Sequence, residues 1–282
     1  MTEWFTETLH PWLAQRLRID RVLFRDKTEH QDLIIFENER FGRVLTLDGV
    51  VQTTEGDEFV YHEMMAHVPV VAHGAARRVL IIGGGDGGMA REVLKHRAVE
   101  QVTMVEIDRG VVDMSVEHLP SLSAGAFDDP RLNLVITDGA KYVAETADRF
   151  DVIIVDSTDP IGPGEVLFTA EFYANCKRCL TEGGIVVTQN GVPSLQGSEV
   201  TNSWNRLGKS FKDVWFYVAA VPTYQGGFMT LGWASDDPAK RRHDVAAIEA
   251  RWAPLGIETR YYTPAIHQAC FALPKFVLDL MK

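Results

Sequence analysis

The run Val79-Leu80-Ile81-Ile82, followed at once by Gly83-Gly84-Gly85-Asp86-Gly87-Gly88, constrains this chain more than any other stretch. Four consecutive apolar residues read as a buried strand, and residues 89–95 read as the start of a helix. A strand, a glycine-rich turn and a helix in that order open a nucleotide-binding βαβ unit. Gly83, Gly85 and Gly88 fit the G-x-G-x-x-G spacing. Such a turn serves NAD, FAD and S-adenosyl compounds alike, so it does not choose a ligand by itself. Asp86 narrows the choice. A dinucleotide sets its pyrophosphate against helix N-terminal N–H groups. A carboxylate about 4 Å away would repel it by roughly 4 kcal/mol at an effective dielectric near 20. The turn therefore reads as built for a positively charged ligand, unless Asp86 serves only to cap the helix, a role that Asp favours.

Beyond this turn, strand and helix patterns alternate, which implies an α/β fold with a mainly parallel sheet and helices on both faces. Four expected strands end in acids: 80–82 leads to Asp86, 102–105 to Glu106-Ile107-Asp108, 132–136 to Asp138-Gly139, and 152–155 to Asp156-Ser157-Thr158-Asp159-Pro160. Ligands of open α/β sheets bind beyond the carboxyl ends of the strands, so all four acidic sites are expected to face one crevice. Glu106 stands 18 residues past Gly88, about where an acid binds ribose hydroxyls. Asp138 can accept from an adenine amino group. Asp156 and Asp159 sit in a loop over 157–168 whose Pro and Gly residues fit either a substrate cover or plain turns. Later strands are expected at 185–188, 214–221 and 228–235, with helices ending near 180 and 212 and a last one over 239–252. A turn is expected at Thr181-Glu182-Gly183-Gly184. Tyr224 lies at a strand end within reach of the crevice.

The first part of the chain has a different pattern. Residues 19–55 read as short antiparallel strands, with Asp48-Gly49 as a tight turn between two of them. This divides the chain into an N-terminal β-strand domain over 1–57 and a Rossmann-like domain over 58–282, joined by a helix over 58–73. That helix carries His62-Glu63-Met64-Met65-Ala66-His67, close to the zinc-protease motif H-E-x-x-H. Histidines five apart lie about 140° around a helix and cannot share one metal from one face. No metal site is expected there. Tyr61 and His62 remain as candidates for a pocket wall.

Bulk properties exclude some partners. The formal net charge is -11, without a basic block, which argues against nucleic acid and anionic membranes and suits a cationic ligand. No signal peptide or membrane span is recognisable. The cysteines, Cys176, Cys179 and Cys270, are too sparse for a disulfide framework and point to a reducing, cytoplasmic setting. Cys176 and Cys179 form a lone C-x-x-C with no second pair, so they read as structural.

Taken together, Gln31-Asp32, Leu47-Asp48-Gly49-Val50-Val51-Gln52, Asp57-Glu58-Phe59-Val60-Tyr61-His62-Glu63-Met64, the glycine turn, Glu106-Ile107-Asp108, Asp138-Gly139, Asp156-Ser157-Thr158-Asp159-Pro160-Ile161-Gly162-Pro163 and Pro222-Thr223-Tyr224 resemble the spermidine synthases, which are aminopropyltransferases. The likeness runs from near Trp4 to Leu273-Pro274. It implies a small N-terminal β domain and a Rossmann-like domain of methyltransferase type. It also implies a reaction in which decarboxylated S-adenosylmethionine gives its aminopropyl group to putrescine, yielding spermidine and 5′-methylthioadenosine. By this resemblance Gln31, Glu106, Asp138, Gly139 and Pro163 contact the adenosyl donor. Tyr61, His62, Asp86, Asp159 and Tyr224 line the polyamine path, Ser157 and Thr158 belong to the substrate site, and Asp156 is the proton acceptor. Family members are dimers or tetramers and need no metal or redox cofactor, the donor being a co-substrate.

Donor and acceptor are both cations, which suits a crevice walled by Asp86, Asp156 and Asp159. The carboxylate of intact S-adenosylmethionine would meet Asp86 unfavourably. The attacking amine must be neutral, so Asp156 needs its pKa raised by neighbouring carboxylates, with Tyr61 aligning the nitrogen. Rival readings are a putrescine N-methyltransferase, an NAD-dependent oxidoreductase, a transferase using cadaverine, agmatine or spermidine, and a polyamine-binding protein without catalysis. Asp86 disfavours the first two, and the pair Asp156 and Asp159 disfavours the last.

Overall fold

The structure, a computed structural model, describes residues 2–160 and 162–282. The side chain of Pro163 lies outside the described residues. The chain begins with an antiparallel hairpin, β1 (Glu3–Thr6) and β2 (Arg16–Ile19). It continues as a four-stranded antiparallel sheet of β3 (Arg21–Lys27), β4 (Asp32–Asn38), β5 (Gly42–Leu47) and β6 (Val50–Thr54). Asp48 and Gly49 both take positive φ, 47° and 78°, and Leu47 pairs with Val50 across them, as a two-residue hairpin turn requires. One face of this sheet buries Phe36, Val44 and Val51 against Phe5, Leu17 and Ile19 of the hairpin. The other buries Leu33, Ile35 and Leu45 against Val111, Leu119 and Leu122 of the next unit.

The helix α1 (Glu58–His73) follows and ends at Gly74 in the left-handed region. It is buried from Val60 to Ala72, which holds it together through Pro69 despite the backbone hydrogen bond that proline forgoes. Behind it stands a seven-stranded sheet: β7 (Arg78–Gly83), β8 (Gln101–Glu106), β9 (Leu132–Ile136), β10 (Phe150–Asp156), β11 (Leu180–Gln189), β12 (Asp213–Ala220) and β13 (Phe228–Ser235). Their order is β12-β13-β11-β10-β7-β8-β9. The five from β11 to β9 are parallel, and β13 runs antiparallel to both its neighbours. The alternation of β7 sends Val79 and Ile81 to one core with α1 and α2 (Gly88–Leu94), and Leu80 and Ile82 to another. Both faces are therefore covered, as a parallel sheet requires. The chain enters at β7, moves out to β8 and β9, then returns to β10 on the other side of β7. The crevice between β7 and β10 is the topological switch point.

Several boundaries differ from the sequence reading. The turn expected at 181–184 is absorbed into β11 as an irregularity: β10 pairing jumps from Phe150–Leu180 to Val152–Ile185, with Gly183 at φ 71°. The helix expected to end near 212 spans Gly197–Leu207. That expected from 239 begins at Val245, because Asp244 caps it and Pro238–Arg241 forms a 3-10 turn instead. The β1–β2 hairpin and the helices Pro264–Ala269 and Lys275–Leu280 carry no periodic signal long enough to read, and tertiary packing holds them. Cys176 and Cys179 are buried and free in the core beside β10. No helix among the described residues is long and apolar enough to cross a membrane.

Candidate active site

A cavity of about 330 Å³ opens over the carboxyl ends of the parallel strands, within the size range of small-molecule sites. Gln31, Tyr61, His62, Asp86, Glu106, Asp138, Gly139, Asp156, Ser157, Thr158, Asp159 and Tyr224 all line it. These are the site residues expected from sequence, save Pro163, whose side chain lies outside the described residues. The four acidic strand ends do converge on one crevice.

Its floor is made by close backbone approach. Gly84 N–H donates to the Asp156 carbonyl at 3.2 Å. Gly83 is at φ 86°, and a Cβ there would sit 1.9 Å from that oxygen, so only glycine serves. Asp156 therefore emerges directly beside the turn. Its Oδ1 accepts a hydrogen bond from Tyr61 Oη at 2.8 Å. Burial raises the Asp156 carboxyl to about 6; Asp86 adds to the rise, while His62 and the Tyr61 hydroxyl oppose it. Burial likewise pushes the Tyr61 phenol well above its ordinary range, so it stays a donor.

Asp86 is not the cap of α2, a position taken by Gly87. Oδ1 accepts from Gly88 N–H at 2.7 Å, steadying the turn, while Oδ2 faces His62 Nε2 at 3.6 Å. The other ring nitrogen, Nδ1, lies 2.6 Å from Glu58 Oε2. Burial favours the neutral ring, but Asp86 and Glu58 outweigh it and lift His62 to about 9. Part of the negative charge expected to be free for a ligand is thus already matched by a residue of the protein. His67, by contrast, points to Glu92 at 3.1 Å and His96 at 2.9 Å. The two histidines diverge, and no group able to hold a metal is present among the described residues.

On the β8–β9 side, Glu106 Oε1 accepts from Asp108 N–H at 3.0 Å. Burial raises this carboxyl to about 7 against the pull of the Asp108 and Ile107 N–H groups. Asp108 caps the helix Arg109–His118 through Gly110 N–H at 2.9 Å and receives Gln31 Nε2 at 3.0 Å. It orients Gln31 and does not line the cavity. Asp138 Oδ1 caps the helix Gly139–Glu145 through Ala140 and Lys141 N–H. Gly139 is needed where a Cβ would fall 2.4 Å from Ile82 Cγ2.

On the far side, Asp159 Oδ1 accepts from Gln189 Nε2 at 2.9 Å. Tyr224 Oη donates to the Gln52 carbonyl at 2.8 Å, and its ring meets Tyr61 edge-on. Ser157 Oγ is buried without a hydrogen-bond partner among the described residues. The sequence reading passed over Glu58 and Gln189. Glu58 stands four residues before His62 on one helix, a legible i,i+4 pair. Gln189 ends a strand as the acids do, but a search for carboxylates misses an amide.

A family profile described as a spermine/spermidine synthase domain matches residues 58–244, and one described as a spermidine synthase tetramerisation domain matches residues 3–55. The polyamine aminopropyltransferase of Ruegeria sp. (strain TM1040) is 62% identical over 277 residues, covering 98% of each chain. That of Pectobacterium carotovorum subsp. carotovorum (strain PC1) is 59% identical over 279 residues, covering 99% of this chain and 97% of the relative. A spermidine synthase crystallised with the transition-state analogue AdoDATO superposes with a TM-score of 0.93 at 39% identity, covering 99% of this chain and 94% of that one. The Thermotoga maritima spermidine synthase gives 0.91 at 36%, with the same coverage. The chain is an α/β transferase and belongs to the spermine/spermidine synthase family of polyamine aminopropyltransferases.

Proposed function

We propose that the protein transfers the aminopropyl group of decarboxylated S-adenosylmethionine to putrescine, forming spermidine and 5′-methylthioadenosine, with Asp156 accepting the proton of the attacking amine. The observation that carries this reading is Asp156: a half-buried carboxyl raised to about 6, at the switch point, with Glu106 and Asp138 in sheet order on one side and Asp159 following on the other. Glu106 and Asp138 would take the ribose and adenine of the donor. Asp159 and Tyr224 would take the far end of the diamine. The amine lone pair forms a C–N bond at the methylene attached to sulfur, the C–S bond breaks, and the sulfonium becomes a neutral thioether. The proton passes to Asp156. The step is redox-neutral and calls for no metal or redox cofactor.

Magnitudes favour this base. A free alkylamine near 10.4 and a free aspartate near 3.9 differ by about 6.5 units, or roughly 9 kcal/mol of uphill proton transfer. Raising Asp156 to about 6 removes about 3 kcal/mol of that barrier. The adjacent sulfonium lowers the amine further. The relative solved with a transition-state analogue supports substrates of this kind, and the match over residues 3–55 supports a homodimer or homotetramer. Three free buried cysteines favour a cytoplasmic setting.

The test is turnover of the purified enzyme with decarboxylated S-adenosylmethionine and a panel of putrescine, cadaverine, agmatine and spermidine, with products identified by mass. Spermidine is expected as the main product. Methylated amine from intact S-adenosylmethionine, or no turnover, overturns the reading. Asp156→Asn is expected to cut kcat by a factor of ~100 to 10,000 while donor binding survives; near-normal kcat refutes the base assignment.

A further inference from the structure

The cation at the centre of the site is built by residues outside the cavity. Glu58 Oε2 accepts from His62 Nδ1 at 2.6 Å and from Arg91 Nη2 at 2.7 Å. Arg91 is anchored in turn by Glu92 at 2.8 Å and by the Leu122 carbonyl at 2.6 Å. The His62 ring is pressed against the glycine turn, where a Cβ on Gly88 would sit 2.3 Å from Cε1 and 2.4 Å from Nδ1. The ring thus spans two carboxylates, Glu58 on Nδ1 and Asp86 on Nε2. A neutral imidazole would turn a lone pair onto one of them, so the geometry calls for the doubly protonated ring.

We propose that Glu58, held by Arg91, is a positioning residue that keeps His62 charged and turned onto Asp86, and through it sets the charge balance of the Asp86–Asp156 pair. The groups facing His62 from every packed element fit this role. Glu58 and Tyr61 share its helix, Asp86 comes from the glycine turn, Arg91 from α2 and Asp156 from the end of β10. Asp57, across a small void shared with Glu58 and His62, has its oxygens committed to Thr54 and Thr223. With Glu58 neutralised, His62 loses one of its two carboxylates and titrates earlier. Asp156 then loses a neighbouring positive charge and holds its proton to higher pH. The consequence for rate rests on Asp156 being the base, whereas the charge on His62 does not.

Two measurements separate these. In ¹⁵N-labelled wild-type enzyme without substrates, the His62 ring is expected to remain protonated at pH 7.5, and in Glu58→Gln to titrate ~3 units lower, in the range where Asp156 itself titrates. A neutral His62 ring in wild type at pH 7.5 overturns the proposal, whatever Asp156 does and whether or not the variant folds. In steady-state kinetics, Glu58→Gln is expected to move the acid limb of kcat upward by ~1 pH unit with little change in donor KM. It is expected to add nothing to that limb in a His62→Gln background. An unshifted limb, or equal shifts with and without His62, shows that Glu58 does not act through the ring. If Asp156→Asn keeps its turnover, the base assignment falls while the ring titration still decides the role of Glu58.

Discussion

Replacing Gly88 by alanine tests how much the site depends on the contact between the glycine turn and His62. The backbone at Gly88 lies outside the left-handed region, so alanine meets no torsional penalty. As the first residue of α2 it would even gain up to ~1 kcal/mol of helix propensity. The obstacle is steric. The added Cβ would lie 2.3 Å from His62 Cε1, so the ring must withdraw by about 1 Å to reach ordinary contact. Moving Nδ1 from 2.6 Å to about 3.6 Å from Glu58 weakens that attraction by about 2 kcal/mol at an effective dielectric of 20. The lost charged hydrogen bond contributes a further ~1.5–3 kcal/mol. After the propensity gain, a net destabilisation of about 2–4 kcal/mol is expected, read as a fall in Tm of roughly 5–10 °C. The assay is thermal unfolding of the free enzyme beside steady-state kinetics. A variant that is more stable than wild type, with unchanged kcat, would refute the reasoning.

Three further outcomes follow from the carboxyls and phenols of the cavity. As the proposed base, Asp156 must be ionised to accept a proton and is raised to about 6, so kcat is expected to fall tenfold per unit below pH 6; a plateau down to pH 4.5 contradicts this. Tyr61→Phe removes the hydrogen bond that helps hold Asp156 down, so its acid limb is expected at higher pH than that of wild type. Glu106 is raised by burial from 4.5 to about 7, so the stability present below pH 4.5 is lost as pH rises through 7. Glu106→Gln should therefore leave Tm unchanged near pH 4 and stabilise the free enzyme by up to ~3 kcal/mol at pH 8, a difference that urea unfolding at the two pH values measures.

The crevice is legible in the sequence because it obeys a positional rule. Parallel strands deliver their last residues to the same edge, so acids after 82, 105, 136 and 155 must gather there whatever the helices do. Glycine spacing marks the turn for a similar reason: Gly83 and Gly139 stand where a Cβ would overlap atoms of Asp156 and Ile82. What the sequence hides is division of labour among like residues. Asp86, Asp108 and Asp138 are each followed by a helix start, and nothing in the letters says that Asp108 caps its helix and holds Gln31 from outside the cavity while Asp138 caps and lines the cavity as well. The pairing of Asp86 with His62 joins two segments whose spacing carries no signal. The short helices Pro264–Ala269 and Lys275–Leu280 lack two full turns of pattern, and Glu63, bound by the N–H groups of Arg260, Tyr261 and Tyr262, helps fix the loop that leads into them from 197 residues away.

The bond from Gly84 N–H to the Asp156 carbonyl, with Gly83 pressed on the same oxygen, welds the end of β7 to the end of β10. The carboxylate proposed as base and the glycine turn beside it are then one rigid casting. Neither can drift without carrying the other along. On the proposed function, redesign of amine preference is best confined to Asp159, Gln189 and Tyr224, which hang from other supports and can be altered while reaction distance stays put.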